Sequence, residues 1–312
     1  MGDPCGISPE LTAKVVALGE VREAARVVVI GDRRVFDAGL STAKTSSEPD
    51  EFVDLKHLDP STVQRGVASK AGGASALANY RHALRMAADG KADAVCFTPF
   101  NKQAMRLAHP PYEDEIGFTS GVLGFDGSAT EFNILEGLWN ARVTSHIPLS
   151  KVSSSLSIDS IVQALELTAT ALHAAGFQPP RIGVAALNPH AGDGGNFGRE
   201  EIDIIEPAVR KAKAKGLPAD GPYPADTVFV RAKAGQFDAV LTMFHDQGQI
   251  AMKLLGFDRG VTLLGGYPFP ICTPAHGTAY DIAGKGIANV GAARAALLLA
   301  ARMAHRKTTL TS

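Results

Sequence analysis

The chain has 312 residues, enough for a full hydrophobic core and for one large or two interlocked domains. Hydrophobic residues make up 45% and charged residues 20%, the balance of an ordinary globular protein, and a net charge of −1 gives no global electrostatic basis for binding nucleic acid or an anionic membrane. No apolar run approaches the ~20 residues needed to cross a bilayer, and no signal peptide is visible. Cys5, Cys96 and Cys272 form neither a CxxC pair nor a disulfide framework, so a reducing, cytoplasmic setting is expected.

The opening MGDPCG reads as a turn and SPELTAKVVAL as a helix, with Ser8 as N-cap, Pro9 in the first turn and Glu10 at the positive end. A turn of this kind normally follows a strand. Here the sequence opens at the turn, so either the start lies further upstream or the first strand is supplied differently. Residues 27–30 read as a buried strand, 70–89 as an Ala-rich helix and 94–98 as a second buried strand ending in Pro99-Phe100-Asn101-Lys102. Residues 108–117 read as an acidic, Pro-rich loop, 130–135 and 141–145 as strands, and 157–175 as an amphipathic helix. The strand 181–187 feeds a Gly-rich turn, 188–198, and a helix over 199–215 follows. A Pro- and Gly-rich segment, 216–224, precedes a short helix over 226–234. The apolar strand around 237–243 then runs into His245-Asp246-Gln247-Gly248 and a helix carrying Lys253; 261–266 is a strand and 288–304 a closing helix. Strands alternate with helices and lack period-2 alternation, which argues for an α/β fold with a mainly parallel sheet.

Three histidines lie just past predicted strands: His146, His190 and His245. In open α/β sheets ligands bind at the carboxyl ends of the strands, and a divalent cation with open positions needs a few neutral imidazoles or carboxylates. His276 is a fourth candidate, and each of the four could equally be a structural histidine. The turn NPHAGDGGNFG could cradle an anion, because its glycines let backbone N–H groups approach an oxyanion, or it could be a surface loop. It is neither GxGxxG in a strand–helix context nor a Walker loop. Lys102 and Lys253 follow strand ends and could neutralise a substrate carboxylate or phosphate.

Ordered motifs along nearly the whole chain resemble the 4-hydroxythreonine-4-phosphate dehydrogenase family of vitamin B6 biosynthesis and its paralogues. They are Gly2-Asp3-Pro4-x-Gly6-Ile7-x-Pro9-Glu10, Thr98-Pro99-x-Asn101-Lys102, Asn188-Pro189-His190-Ala191-Gly192, His245-Asp246-Gln247-Gly248 and His276-Gly277-Thr278-Ala279. The resemblance implies a fold like that of isocitrate and isopropylmalate dehydrogenases, with two α/β domains (1–108 plus 288–312, and 109–287) in a homodimer whose active site lies in a cleft. It implies one divalent ion (zinc, magnesium, manganese, cobalt or nickel) on His146, His190 and His245, one of them supplied across the dimer interface. NAD, or NADP, would bind partly through Asn188, Gly192, Gly194 and Gly195. The reaction implied is oxidation of a hydroxyl β to a carboxylate, followed by loss of carbon dioxide, with Lys102 and Asp246 as candidates for positioning or proton transfer. No nucleic-acid or membrane partner is implied.

The substrate positions depart from the family pattern. Asp114-Glu115-Ile116-Gly117 stands where the family has Gly-His-Thr-Glu, so Glu115 and Ile116 replace a substrate-contacting His-Thr pair. Counted without a gap, the family's Asn falls on Thr262, its phosphate-binding Arg on Ile271 and an Asp on Ala275, while Lys253 is retained. Loss of a bidentate Arg is not conservative. A less charged substrate is therefore expected, such as a cis-dihydrodiol carboxylate or a sugar acid. The alternatives are the standard phosphohydroxythreonine substrate, an acyltransferase of the phosphate acetyltransferase type, and a catalytically silent binding protein.

Overall fold

The computed structural model describes residues 1–311. The chain forms two compact units, Met1–Ala129 with Asp258–Ser312, and Thr130–Phe257.

The first unit starts with α1 (Ser8–Val16), which carries a proline in its first turn, and α2 (Gly19–Ala24). Then come β1 (Val28–Gly31), α3 (Arg33–Ala43) and β2 (Glu51–Asp54). Asp32 caps α3 by accepting from Arg34 N. Next are α4 (Lys70–Ala88), β3 (Val95–Cys96), α5 (Lys102–Ala108) and α6 (Glu115–Leu123). Ser69 caps α4, Asn101 caps α5 and Asp114 caps α6. The acidic stretch expected as loop is thus partly a helix start: Asp114 accepts from Gly117 N at 2.8 Å, and Glu115 favours the positive end of α6.

The second unit begins with a hairpin of β4 (Thr130–Leu135) and β5 (Leu138–Arg142), turned at Gly137 with φ +79°. This antiparallel pair departs from the expected separate strand over 141–145. After α7 (Val152–Ser155) comes α8 (Ile158–Ala175), whose capping box is formed by Ser157 and Ser160. Then follow β6 (Ile182–Ala185), α9 (Glu206–Ala214), β7 (Ala219–Tyr223), α10 (Ala225–Lys233), β8 (Ala239–Thr242) and α11 (His245–Gly256). Here the strands lie in the order β4-β5-β8-β6-β7, with β5, β8, β6 and β7 parallel. The Pro- and Gly-rich segment contains β7, which tolerates Pro222 because an edge strand has a side that needs no ladder bond. Apolar residues of β5, β6, β8, α10 and α11 pack together, among them Leu138, Ala185, Phe229, Val240 and Met252.

The chain then returns to the first unit with β9 (Val261–Gly265), β10 (Ile271–Pro274) and α12 (Gly291–Thr311). Strand β10 pairs parallel with β3 and antiparallel with β9, while β1 pairs with β2 alone. These pairings, and the packing of α6 on α4, put residues 109–129 and 258–287 in the first unit, where the sequence placed boundaries at 108 and 288. An aromatic core sits around Tyr80, Phe97 and Phe100, with the Phe97 and Phe100 rings stacked at 4.4 Å.

Candidate active site

Register explains why the predicted histidines gather. Arg142 on β5 lies opposite Thr242 on β8, and Val184 on β6 opposite Leu241. The three parallel strands therefore end together, and the turns after them emerge at one edge of the sheet. The His146 and His245 rings meet there, with centroids 5.6 Å apart. His245 opens α11, and its Nδ1 lies 2.7 Å from Asp246 Oδ1. That contact orients the imidazole and leaves Nε2 for a ligand, the usual arrangement around a metal-binding histidine.

Arg142, Thr144 and Gln247 hold the turns, and of these the sequence had marked only Gln247, within its His-Asp-Gln-Gly motif. Arg142 is buried and donates through Nε to Ser145 Oγ at 3.0 Å, with its other nitrogens on Asn133 and Glu131. Burial pushes its guanidinium pKa down and Glu131 opposes that shift. His146 has φ +48°, a strained conformation for a residue with a side chain, of the sort concentrated at functional sites. Thr144 Oγ1 donates to the Met243 carbonyl at 2.7 Å and joins the β5 and β8 turns. Gln247 joins the β8 and β6 turns: its Nε2 donates to Ala186 O at 2.6 Å and its Oε1 accepts from Met243 N at 2.8 Å.

The Gly-rich turn after β6 is held from beneath by Glu201, another residue the sequence did not mark. Glu201 is 1% exposed and accepts from Leu187 N at 2.8 Å, Asn188 N at 2.7 Å and Asn188 Nδ2 at 2.9 Å. Asn188 Nδ2 also donates to Glu200 at 2.7 Å, so this side chain anchors the loop. Above it His190, Ala191, Gly192, Asp193 and Gly194 all have positive φ. A Cβ on Gly192 would stand 2.7 Å from Glu201 Oε2, whereas Gly194 faces open space and the nearest neighbour of a Cβ on Gly195 would be Ile202 at 3.5 Å. His190 is exposed and its ring lies beside Phe197, 6.1 Å between centroids. Among the described residues no group of three or more His, Cys, Asp or Glu side chains is placed to hold a metal ion. The chain thus joins His146 to His245 and does not bring His190 to them.

In the first unit Lys102 Nζ lies 3.4 Å from the Glu115 carboxylate. Glu115 opens α6 beside Tyr112, whose hydroxyl pKa is pushed up by burial and then by the Glu115 charge. Ile116 is half-buried, and its carbonyl accepts from the Tyr267 hydroxyl at 2.9 Å. Two expected substrate contacts sit differently. Ile271 is 0% exposed on β10, packed with Tyr80, Phe97 and Phe269, so its side chain belongs to the core and offers no surface to a ligand. Thr262 is half-buried on β9 opposite Thr273. Lys253 is exposed in the last turn of α11, roughly 12 Å along the helix axis from His245.

The model of the family described as "Pyridoxal phosphate biosynthetic protein PdxA" matches residues 23–300. A protein of Rhizobium meliloti (strain 1021), provisionally named 4-hydroxythreonine-4-phosphate dehydrogenase 2, is 59% identical over all of this chain and 94% of its own length. The crystal structure of 4-hydroxythreonine-4-phosphate dehydrogenase from Klebsiella pneumoniae superposes with a TM-score of 0.84 at 34% identity, covering 97% of this chain and 96% of that one. A terephthalate 1,2-cis-dihydrodiol dehydrogenase from Burkholderia xenovorans LB400 superposes with a TM-score of 0.67 at 28% identity, covering 94% and 96%. No described helix is long and apolar enough to cross a membrane. By these matches the chain belongs to the PdxA family and is a dehydrogenase acting on a CH–OH group, in place of the acyltransferase and silent-binding alternatives.

Proposed function

We propose that the protein is a divalent-metal- and NAD-dependent dehydrogenase that oxidises a hydroxyl β to a carboxylate and decarboxylates the product, on a substrate other than 4-phosphohydroxy-threonine. The pairing of His146 with His245, and of His245 with Asp246, carries this reading. Two imidazoles suit zinc, manganese, cobalt or nickel better than magnesium, which prefers oxygen ligands. His190, which the chain leaves apart, would complete the set from a second copy in a homodimer. The ion supplies Lewis acidity to the reacting oxygen.

The chain's own residues then have separate tasks. Asp246 positions His245. The loop 188–198, with its run of positive φ, directs N–H groups toward the cofactor, and Gly194 and Gly195 leave room for close approach. Lys102, with Glu115 as its partner, handles protons. Hydride leaves the carbinol carbon for NAD and the hydroxyl proton goes to a base. The bond to the carboxylate then breaks, its electron pair stays on the α-carbon and is protonated there, and carbon dioxide leaves.

Substrate class follows from charge. Glu115 offsets the Lys102 ammonium, and half-buried Ile116 adds an apolar surface. A sugar acid or a cis-dihydrodiol carboxylate suits this better than a dianionic phosphate, and the resemblance to the terephthalate cis-dihydrodiol enzyme supports the cyclic case. The second reading, the standard phosphorylated substrate, is favoured by the names of the Rhizobium and Klebsiella relatives. The test is NADH formation by protein stripped of metal and then reloaded, with NAD and NADP in parallel. The panel holds 4-phosphohydroxy-threonine, phosphorylated four-carbon sugar acids and an aromatic cis-dihydrodiol carboxylate. Metal-dependent turnover of an unphosphorylated acid alone supports the proposal. Strong turnover of 4-phosphohydroxy-threonine alone overturns its substrate assignment, and full turnover without metal overturns the mechanism.

A further inference from the structure

Three exposed serines stand in a row on α7: Ser153, Ser154 and Ser155. Two of them turn back on their own segment, with Ser154 Oγ donating to Lys151 O at 3.1 Å and Ser155 Oγ to the same carbonyl at 2.8 Å. Ser153 reaches away from its helix. Its Oγ donates to Glu200 Oε1 at 2.6 Å, across 47 positions of sequence. The other oxygen of that carboxylate, Oε2, accepts from Asn188 Nδ2 at 2.7 Å. The Ser153 hydroxyl, and then the Asn188 amide, hold the Glu200 carboxyl below the usual carboxylate range.

This bridge joins two segments of the second unit that have separate tasks in the proposed dehydrogenase. Ser153 lies on the segment that leaves the His146 turn. There Pro148 leads into a 3-10 turn over Leu149–Lys151, which runs directly into α7, so the path from His146 to Ser153 is short and stiff. Buried Val152 and Leu156 seat the segment on its unit. Asn188 opens the Gly-rich turn, and His190 follows in the same turn. Gly198 keeps the bridge open. Its φ is +132°, and a Cβ there would stand 2.5 Å from Asn188 Nδ2 and 2.7 Å from Glu200 Oε2.

The bridge is not what keeps the Gly-rich turn folded. Buried Glu201 already accepts from Leu187 N, Asn188 N and Asn188 Nδ2. Removing the exposed Ser153 hydroxyl leaves those bonds in place and orphans no buried donor. What the bridge adds is a direct link between the outer parts of the His146 and His190 turns, beyond the strand-end bonds made by Thr144 and Gln247.

The inference rests on the proposed ion on His146 and His245, completed by His190 from a second copy. Under that reading each chain's His146 serves its own ion and its His190 serves the other. We propose that Ser153 and Glu200 are positioning residues that couple the two metal sites of the dimer. An ion on His146 fixes α7, the bridge fixes Asn188, and the His190 turn that serves the other site is held in place. Filling one site then tightens the other, and the effect is reciprocal. The turn has freedom to lose, since His190 to Gly194 all have positive φ and Gly194 faces open space.

For the test, protein stripped of metal is titrated with zinc in competition with a chromogenic chelator, at concentrations where gel filtration gives a dimer. The parent is expected to bind one ion per chain, the second about tenfold more tightly than the first beyond the statistical factor. Ser153→Ala and Glu200→Gln should bring the two affinities within about twofold of each other and leave the first nearly unchanged. Ser153→Thr keeps the hydroxyl and should restore the parent pattern. Ser154→Ala, whose hydroxyl bonds its own segment, should leave that pattern intact. Equal affinities in the parent dimer, or a tightening that survives Ser153→Ala, overturn the coupling and leave the metal assignment standing. So does an equal weakening of both sites in Ser153→Ala, the mark of a merely structural bond. Absence of zinc binding, or a chain that stays single at every concentration, overturns the coupling and the shared metal site together.

Discussion

Replacing Glu201 by alanine removes the acceptor for Leu187 N, Asn188 N and Asn188 Nδ2, all within 2.9 Å of a carboxylate that is 1% exposed. Hydrogen bonds to a charged group contribute about 1.5–3 kcal/mol each, and a buried donor left unpaired costs about 1–3 kcal/mol. The Asn188 amide keeps its bond to Glu200, so two orphaned backbone donors dominate. The expected loss is about 3–5 kcal/mol, or roughly 5–8 °C in the unfolding midpoint. Glu201→Gln keeps one oxygen for both backbone donors but turns an NH2 toward Asn188, and should lose only about 1–2 kcal/mol. Because Glu201 holds the turn assigned to NAD, the alanine variant should also raise KM for NAD by about tenfold with a smaller change in kcat. Thermal unfolding followed by circular dichroism, with steady-state kinetics on the same samples, provides the check. An alanine variant within ~1 kcal/mol of the parent, or no difference between alanine and glutamine, would refute the reasoning.

Chelation should abolish NADH formation, and zinc, manganese, cobalt or nickel should restore it. Asp246→Asn should weaken metal binding by about 10–100-fold by calorimetric titration, because Asp246 orients His245; unchanged affinity would remove that role. In Gly248→Ala the new Cβ would stand 2.1 Å from Oδ1 of Asn140, a fully buried residue held by Ala141 O and Val240 O. The start of α11 must then shift, lowering stability by about 1–3 kcal/mol in denaturant unfolding and lowering metal affinity with it. Parent values for both would refute the close packing. Asp32 has its carboxyl pKa lowered, first by its hydrogen bond from the Arg34 side chain. A depressed carboxylate contributes stability that is present above its unfolded pKa of about 4 and is lost as pH falls through the folded value. Asp32→Asn should keep much of the α3 cap yet lose that part of the acid dependence; an unchanged stability profile below about pH 4 would contradict this.

Local sequence determined a good deal of this protein. The α/β class followed from alternating apolar strands and helices, and α8 begins at Ser157 as read; Ser8, read as the cap of α1, is instead its first residue, and its hydroxyl donates to Pro99 O rather than to the helix start. The three candidate histidines were visible because each follows an apolar strand into a polar turn. The order of those strands was not visible. Only the parallel pairing of β5 with β8 brings His146 to His245 across about 100 positions of sequence, and the same structure leaves His190 beside Phe197. Ile271 shows the limit from the other side. A residue aligned by counting looked like a pocket wall, yet the β10 pairings with β3 and β9 turn its side chain into the core. Arg142 and Glu201 carry no local signature, because an ionic side chain is usually solvated and its burial is decided by long-range neighbours. Spacing along the chain fixes which residues share an element; which elements share a neighbourhood is a property of the packed sheet, and in this protein that packing decides which histidines meet.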